Sequence, residues 1–398
     1  MSLTKDDILA LHSEIGTSPE PYDRYVRKGQ FDEDCEKIFK KVWINVGRVE
    51  ELPAKGGYIV CPMGEWKSSI IITKDKNGKF SAFHNVCTHR GNELIWDERG
   101  SERRYACKFH GWVFKDDGSL VGAPEAEMFF SLDKKKCGLK KVSLDIWNGF
   151  IFVHYESSPP QSLREFLEPV ATTLDAFPFG KLSVAYEHKI KLGTPWRIAR
   201  DSQLEGYHAK HLHRRSLPHM IDNKEAPNIH CVDAKLLGQH GMVGLVANKE
   251  AKLTPTQLLS AEFGSFTANR HDGVTTKKEL PINLTKSNQW SFDLYFIYPN
   301  FHLIVLDDMV IAHNMRANAD GESTWIARSY YPEATNGAEW FSREYAKVTL
   351  RDAWMEDMST LERTYNGLCS GVLDAQHMQG QELLIRAAEF ENEKMLAI

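Results

Sequence analysis

The chain is 398 residues long, 42% hydrophobic and carries a formal net charge of −5, enough to bury a substantial core and to divide into two domains. Acidic and basic residues are interspersed along it, which excludes the concentrated basic footprint of a nucleic-acid or anionic-membrane binder. The opening Met1-Ser2-Leu3-Thr4-Lys5-Asp6-Asp7 lacks the apolar core of a secretion signal, no apolar run reaches bilayer length, and seven irregularly spaced cysteines make no disulfide framework, so a cytoplasmic protein acting on small molecules or protein partners is expected.

In chain order, Phe31, Ile38, Phe39 and Val42 recur at helix-like spacing and predict a helix from about Asp32 to Val42. From Val46 to about Tyr155 the pattern turns to strands. Tyr58-Ile59-Val60, Ser69 to Thr73 and Phe150 to Val153 are short apolar runs parted by turn signals such as Lys76-Asn77-Gly78 and Asp116-Asp117-Gly118. Two loops between such strands carry metal-binding residues: Cys87-Thr88-His89-Arg90-Gly91 and, with 17 residues between His89 and Cys107, Cys107-Lys108-Phe109-His110-Gly111-Trp112. Two thiolates and two imidazoles in matched loops suit a [2Fe-2S] cluster of the Rieske arrangement, with Cys on one iron and His on the other. A tetrahedral Cys2His2 zinc site uses the same ligand types. Each half mixes one Cys with one His and runs into glycine, which favours the cluster, because a tight turn there aims backbone N–H groups at bridging sulfides.

Ser157-Ser158-Pro159-Pro160 punctuates the chain as a linker, and Leu163 to Leu174 reads as a helix beyond it. Helical patterns near 196–210 and 338–363 enclose four strands: Trp290 to Tyr298, Phe301 to Leu306, Val310 to Ala317 and Thr324 to Tyr331. Short turns at Pro299-Asn300 and Ala319-Asp320-Gly321 predict an antiparallel meander covered by helices. The segment from about 225 to 285 has no clear periodicity and is expected to be loop-rich or a lid over a pocket.

The run Asp201-Ser202-Gln203-Leu204-Glu205-Gly206-Tyr207-His208-Ala209-Lys210-His211-Leu212-His213 packs two carboxylates and three histidines into 13 residues. Two of these histidines and a distant carboxylate would make the facial triad of a non-haem Fe(II) site, with positions left for dioxygen and substrate. On an uninterrupted helix His208 and His211 lie about 60° apart, whereas His208 and His213 lie about 140° apart and need the helix to end or bulge. Local geometry alone therefore prefers 208 with 211. For the carboxylate, a late acidic helix offers Asp352, Glu356 or Asp357, and spacing does not choose among them.

The two loops, the histidine-rich run and the late acidic helix follow the order found in Rieske non-haem iron oxygenase α subunits, also called aromatic ring-hydroxylating oxygenases. The chain resembles that family over nearly its whole length. Cys87-x-His89-Arg90-Gly91 with Cys107-x-x-His110-Gly111-Trp112 matches its loop motif, and Glu205-x-Tyr207-His208-x-x-x-x-His213 its iron-binding motif. The resemblance implies that Cys87, His89, Cys107 and His110 hold the [2Fe-2S] cluster, and that His208, His213 and Asp357 hold a mononuclear Fe(II), with His211 a neighbour. It further implies that Glu205 links His208 to the His110 of a neighbouring protomer, and hence a head-to-tail trimer, with or without a small β subunit. The fold expected is α+β: an N-terminal helical segment at 1–42 packing on the catalytic domain, an all-β Rieske domain at 43–157, and a helix-grip-like catalytic domain at 158–398 whose antiparallel sheet is covered by helices.

Such a protein is a terminal oxygenase: a reductase or ferredoxin delivers NAD(P)H-derived electrons, and O2 is used to hydroxylate, dihydroxylate or demethylate an aromatic or related small substrate. Trp112 is expected to screen the cluster or pack between sheets, and Trp354 to line the pocket or pack in the core. Many relatives carry asparagine where this chain has Asp201-Ser202, which leaves a polar contact near the iron open. Two other classes fit parts of the pattern: a Rieske-type electron carrier, with two irons per chain instead of three, and a zinc-binding protein, which would be colourless.

Overall fold

The computed structural model describes residues 3–52, 57–217, 230–246, 248, 252–264 and 280–397. The chain divides into two compact units, one formed by 34–166 and the other by 1–33 with 167–398.

In the first unit seven antiparallel strands form a sheet in the order Ile44–Arg48, Phe150–His154, Lys141–Trp147, Phe80–His84, Ser68–Lys74, Tyr58–Met63 and Arg99–Gly100. A second sheet pairs Arg104–Ala106, Val113–Lys115 and Leu120–Gly122. The turn at Lys76-Asn77-Gly78 joins two strands as expected, because Asp75 accepts the N–H groups of Asn77 and Lys79 and Gly78 takes the left-handed conformation the turn demands. The metal-binding loops sit at strand ends, one after Phe80–His84 and one between Arg104–Ala106 and Val113–Lys115. Their cysteines belong to the unit's apolar cluster, together with Ile71, Phe83, Tyr105, Trp112 and Phe114. Burying the loop roots in this way fixes both loops to the sheets. The helix expected at Asp32 to Val42 is shorter, spanning Gln30–Asp34 and a wider π turn at Cys35–Phe39.

The second unit is built on seven antiparallel strands in the order Val184–Leu192, Glu322–Tyr331, Val310–Ala319, Phe301–Val305, Trp290–Ile297, His240–Val246 and Cys231–Leu237. The meander of four strands is as expected, but the sheet is wider. Cys231–Leu237, His240–Val246 and a helix at Pro255–Glu262 fall inside the segment read as lacking periodicity, so that reading is corrected for those residues. It failed because His240–Val246 is buried along its whole length and so shows no alternation. The rest of 225–285, and with it the lid, lies largely outside the described residues. The helix expected from Leu163 to Leu174 is two, Leu163–Leu167 and Val170–Leu174, because Pro169 cannot continue the first. That near 196–210 is also two, Trp196–Asp201 and Ala209–Leu212.

The helix expected at 338–363 runs further, from Gly337–Cys369, and Asn336 caps it by accepting from the N–H groups of Ala338 and Glu339. A cap of this kind is worth about 1 kcal/mol. Ala346, Leu350, Ala353, Trp354, Asp357, Leu361 and Leu368 form its buried stripe at intervals of three and four, packed with Met315, Trp325 and Ile311 of the sheet. Asp357 is the carboxylate that falls on the apolar stripe. Among the described residues, no helix is long and apolar enough to cross a membrane.

Candidate functional site

The two loops of the first unit share one backbone frame. The Cys87 N–H donates to Asn92 C=O and the Cys87 C=O accepts from Gly91, at 2.8 and 2.9 Å; Cys107 does the same with Trp112 and Gly111, again at 2.8 and 2.9 Å. Gly91 and Gly111 stand at φ 78° and 68°, a region costly for residues with a Cβ. Each frame turns backbone N–H groups onto its sulfur, those of His89 and Arg90 onto Cys87 and those of Phe109 and His110 onto Cys107. Burial raises the Cys87 thiol, whereas at Cys107 the hydrogen bonds outweigh burial and draw the thiol down. The imidazoles of His89 and His110 pair edge to face at 4.7 Å, and Trp112 stacks on His89 at 4.8 Å while remaining buried in the core.

The buried Nδ1 of His89 has no hydrogen-bond partner. A metal ligand accounts for such an orphan acceptor. Among the described residues, the four loop donors do not converge on one point as a single zinc ion requires. Two thiols within hydrogen-bond reach of each other and two imidazoles paired edge to face fit a two-iron cluster.

The second centre is gathered from segments far apart in sequence. The helix at Ala209–Leu212 stops at Leu212, and His213 leaves it at φ −91°, ψ 24°. That early stop removes the 140° separation of a continuous helix. His208 Nε2 and His213 Nε2 stand 3.2 Å apart, and Asp357 Oδ1 lies 3.4 and 3.2 Å from them. His211 is exposed and points to Arg214.

Each of the three has an outer partner. Glu205 Oε1 meets His208 Nδ1 at 2.5 Å, Glu356 Oε2 meets His213 Nδ1 at 3.0 Å, and the Gln203 amide donates to Asp357 Oδ2 at 3.1 Å. With a carboxylate accepting from each Nδ1–H, both Nε2 atoms present lone pairs. Asp357 Oδ1 is buried and has no donor. Three atoms that act as acceptors therefore face one another at close range, a donor set of the kind that holds a cation. Burial disfavours a charged His208, yet the hydrogen bond and charge of Glu205 and the charge of Asp357 outweigh it and raise its pKa, the same attraction for positive charge. Atoms spaced 3.2 to 3.4 Å apart stand about 1.9 Å from their common centre, close to the roughly 2.1 Å of a metal–ligand bond, so His208, His213 and Asp357 would hold a metal ion. Two nitrogens, one oxygen and open positions fit non-haem Fe(II).

Sequence reasoning missed Gln203, Ser216 and the outer role of Glu356. Nor did it see what Asp201 does: it turns from the triad to accept from the Tyr25 hydroxyl at 2.7 Å and from Arg200, and burial pushes its carboxyl up to about 6. Beside it the buried Glu389 gathers Arg197, Arg200 and Arg24. This knot ties the helices Asp23–Val26 and Leu383–Ala397 to Trp196–Asp201, which leads into Gln203.

A cavity of about 130 Å³ opens on the triad. Leu294, Ile304 and Ile311, direct neighbours across three strands, form its wall, with Leu217, Leu245, Phe292, Leu306, Leu350, Ala353 and Trp354 around them. Trp354 thus both lines the cavity and packs in the core.

Comparison with known proteins agrees with the two centres. Residues 179–395 match the family model for the ring hydroxylating alpha subunit (catalytic domain), and residues 42–137 match the Rieske [2Fe-2S] domain. The glycine betaine monooxygenase oxygenase subunit of Pseudomonas aeruginosa is 29% identical over 216 residues, 54% of this chain and 49% of that protein. The N,N-dimethyl phenylurea N-demethylase subunit alpha of Sphingobium sp. is 31% identical over 179 residues, 43% of this chain and 38% of its own length. The matched stretches thus cover half or less of these curated relatives. The solved structure of a quaternary ammonium Rieske monooxygenase superposes with a TM-score of 0.75 at 19% identity, covering 99% of both chains, a likeness of fold. The chain belongs to the ring-hydroxylating oxygenase α-subunit family, whose members join a Rieske [2Fe-2S] domain to a mononuclear non-haem iron catalytic domain.

Proposed function

We propose that this chain is the oxygenase component of an electron-fed system that inserts oxygen from O2 into a small, uncharged and largely apolar organic molecule. In this reading Cys87, His89, Cys107 and His110 hold the cluster, and His208, His213 and Asp357 hold the iron. The observation that carries it is the meeting of three acceptor atoms at the floor of an apolar cavity.

When bound, the cluster supplies single electrons and the ferrous ion a coordination site for dioxygen beside the substrate. The chain's own groups do the rest. Glu205 holds a proton on Nδ1 of His208 and keeps its Nε2 free to ligate. Gln203 engages one oxygen of Asp357 and leaves the other for the metal. The leucine and isoleucine wall excludes water and offers a substrate only shape and apolar contact.

That wall also bears on the substrate. Among the described residues lining the cavity there is no lysine or arginine to pair with a carboxylate, and Phe292 and Trp354 are the two aromatic rings. A betaine-like zwitterion would leave a carboxylate desolvated without a partner, at a cost of several kcal/mol, and would lack a full aromatic cage for its ammonium. An aromatic ring or an alkylated aryl group meets neither penalty. The relative acting on N,N-dimethyl phenylurea is therefore the nearer guide to this pocket than the one acting on glycine betaine.

Electrons come, on the same reading, from a reductase or ferredoxin. Glu205, already on His208, also reaches His110 of an adjoining protomer in a head-to-tail trimer, with or without a β subunit. NADH-dependent O2 uptake with a partner reductase, run across neutral aryl, aromatic acid and betaine substrates with product mass spectra, tests the proposal. Coupled uptake and an oxygenated or demethylated neutral aryl product are expected. Three irons per chain should be found, and two, or turnover of betaines alone, would overturn it.

A further inference from the structure

We infer that Glu356 is a positioning residue for the mononuclear iron: its carboxylate fixes the tautomer and aim of His213 and pins the end of the ligand segment to the helix that carries Asp357. The inference rests on the reading of His213 and Asp357 as ligands.

Glu356 Oε2 lies 3.0 Å from His213 Nδ1 and accepts the Ser216 hydroxyl at 2.5 Å. A carboxylate accepts only, so Nδ1 must donate and the lone pair of the neutral ring stays at Nε2. Adjacent residues on a helix point about 100° apart, so from one turn Glu356 reaches the far edge of the imidazole while Asp357 faces its Nε2 edge. Three residues after His213, Ser216 is held by the same oxygen, which anchors the turn as well as the ring.

The two histidines are steadied in different ways. Glu205 lies three residues before His208, so that pair is local and would survive rearrangement elsewhere. Glu356 is 143 residues from His213 and makes the geometry of His213 depend on the seating of the Gly337–Cys369 helix. A carboxylate placed for helix packing alone would have no need to select Nδ1 of a ligand ring.

Protein depleted of mononuclear iron but retaining its cluster is titrated anaerobically with Fe(II) by calorimetry, and the site is read from the paramagnetic spectrum of its nitric oxide complex. Glu356→Ala and Glu356→Leu are each expected to weaken Fe(II) binding about 10- to 100-fold and to broaden that spectrum, as loss of an outer carboxylate does elsewhere. Glu356→Gln, whose amide oxygen still accepts from Nδ1–H, should restore affinity to within about threefold. Affinity in the Ala and Leu variants within about threefold of the parent overturns the inference. His213→Ala separates the two readings: if it binds iron as the parent does, the ligand set fails, whereas if it loses iron and the Glu356 variants do not, only the role of Glu356 fails. Should the Ala and Leu variants not fold, the iron-free parent decides through the 15N-histidine resonances of His213: an Nδ1–H tautomer supports the inference and an Nε2–H tautomer overturns it.

Discussion

The two centres reach the same end, a gathered set of donor groups, by opposite routes. In the cluster unit both loops are contiguous, and each is closed by a hydrogen bond of 2.9 Å from the glycine N–H to the cysteine C=O, with glycine at positive φ. Nearly everything the site needs lies within six residues of each cysteine. In the catalytic unit His208 and His213 come from one segment and Asp357 from a helix more than 140 residues later, with outer partners on both and a pocket wall from the sheet. A site written into loops can be read as a motif. One assembled by packing exists only once the sheet and long helix have met.

This contrast can be broken by experiment. Largest in effect, His213→Ala should abolish turnover while leaving the visible absorption of the cluster intact, and Cys107→Ser should remove that absorption while leaving Fe(II) binding intact. Loss of both signals in either variant would mean that the centres are not separately built. Glu389→Gln comes next, since it leaves the buried Arg197 and Arg200 and the partly buried Arg24 short of their shared carboxylate. A destabilisation of about 3–5 kcal/mol is expected in denaturant unfolding of the catalytic unit.

The sheet wall has its own pH signature. Burial pushes the Asp293 carboxyl up to about 6, against the hydrogen bonds from Trp290 and Asn283. Unfolded, it would ionise near pH 3.9, so its protonated form favours the fold at low pH, and about 2–3 kcal/mol is lost as pH rises through 6. Thermal unfolding of parent and Asp293→Asn between pH 4.5 and 7 should show the parent losing stability relative to the variant as pH rises. A constant gap would remove Asp293 from the account.

Smaller effects sharpen the local side. Gly111→Ala forces a Cβ into φ 68° and 3.3 Å from Pro124, so a penalty of about 1–2 kcal/mol and faster loss of cluster colour are expected. His211→Ala should be nearly silent, within about 0.5 kcal/mol in stability and with turnover retained, because the ring is exposed.

How far the amino-acid sequence carried the reading follows the same divide. Cys87, His89, Cys107 and His110 stand out in the sequence as a motif because loop, glycine and donor are adjacent. The four-strand meander was legible because Pro299-Asn300 and Ala319-Asp320-Gly321 mark its turns. For the histidines, helical spacing alone preferred His211 and only the resemblance chose His213, which the halt at Leu212 brings round to His208. Asp357 carried an overlooked signal: it continues the apolar stripe of Ala346, Leu350, Ala353 and Leu361, whereas Asp352 falls on the exposed face. Gln203 and Ser216 gave none, because ordinary polar residues become partners only through contacts made by the fold. His240–Val246 escaped because a strand buried on both faces has no alternation to detect.

The Gly337–Cys369 helix is 33 residues long and Asp357 stands 20 residues from its capped start, about 30 Å along a stiff rod. Tilting that rod by about two degrees about its origin displaces the carboxylate by about 1 Å, a shift of the size that can slow catalysis a hundredfold. Substitutions that merely reseat the remote end near Asn336, or adaptations to different working temperatures, would therefore act on the reaction as a lever acts on its load, without touching a single group that meets the substrate.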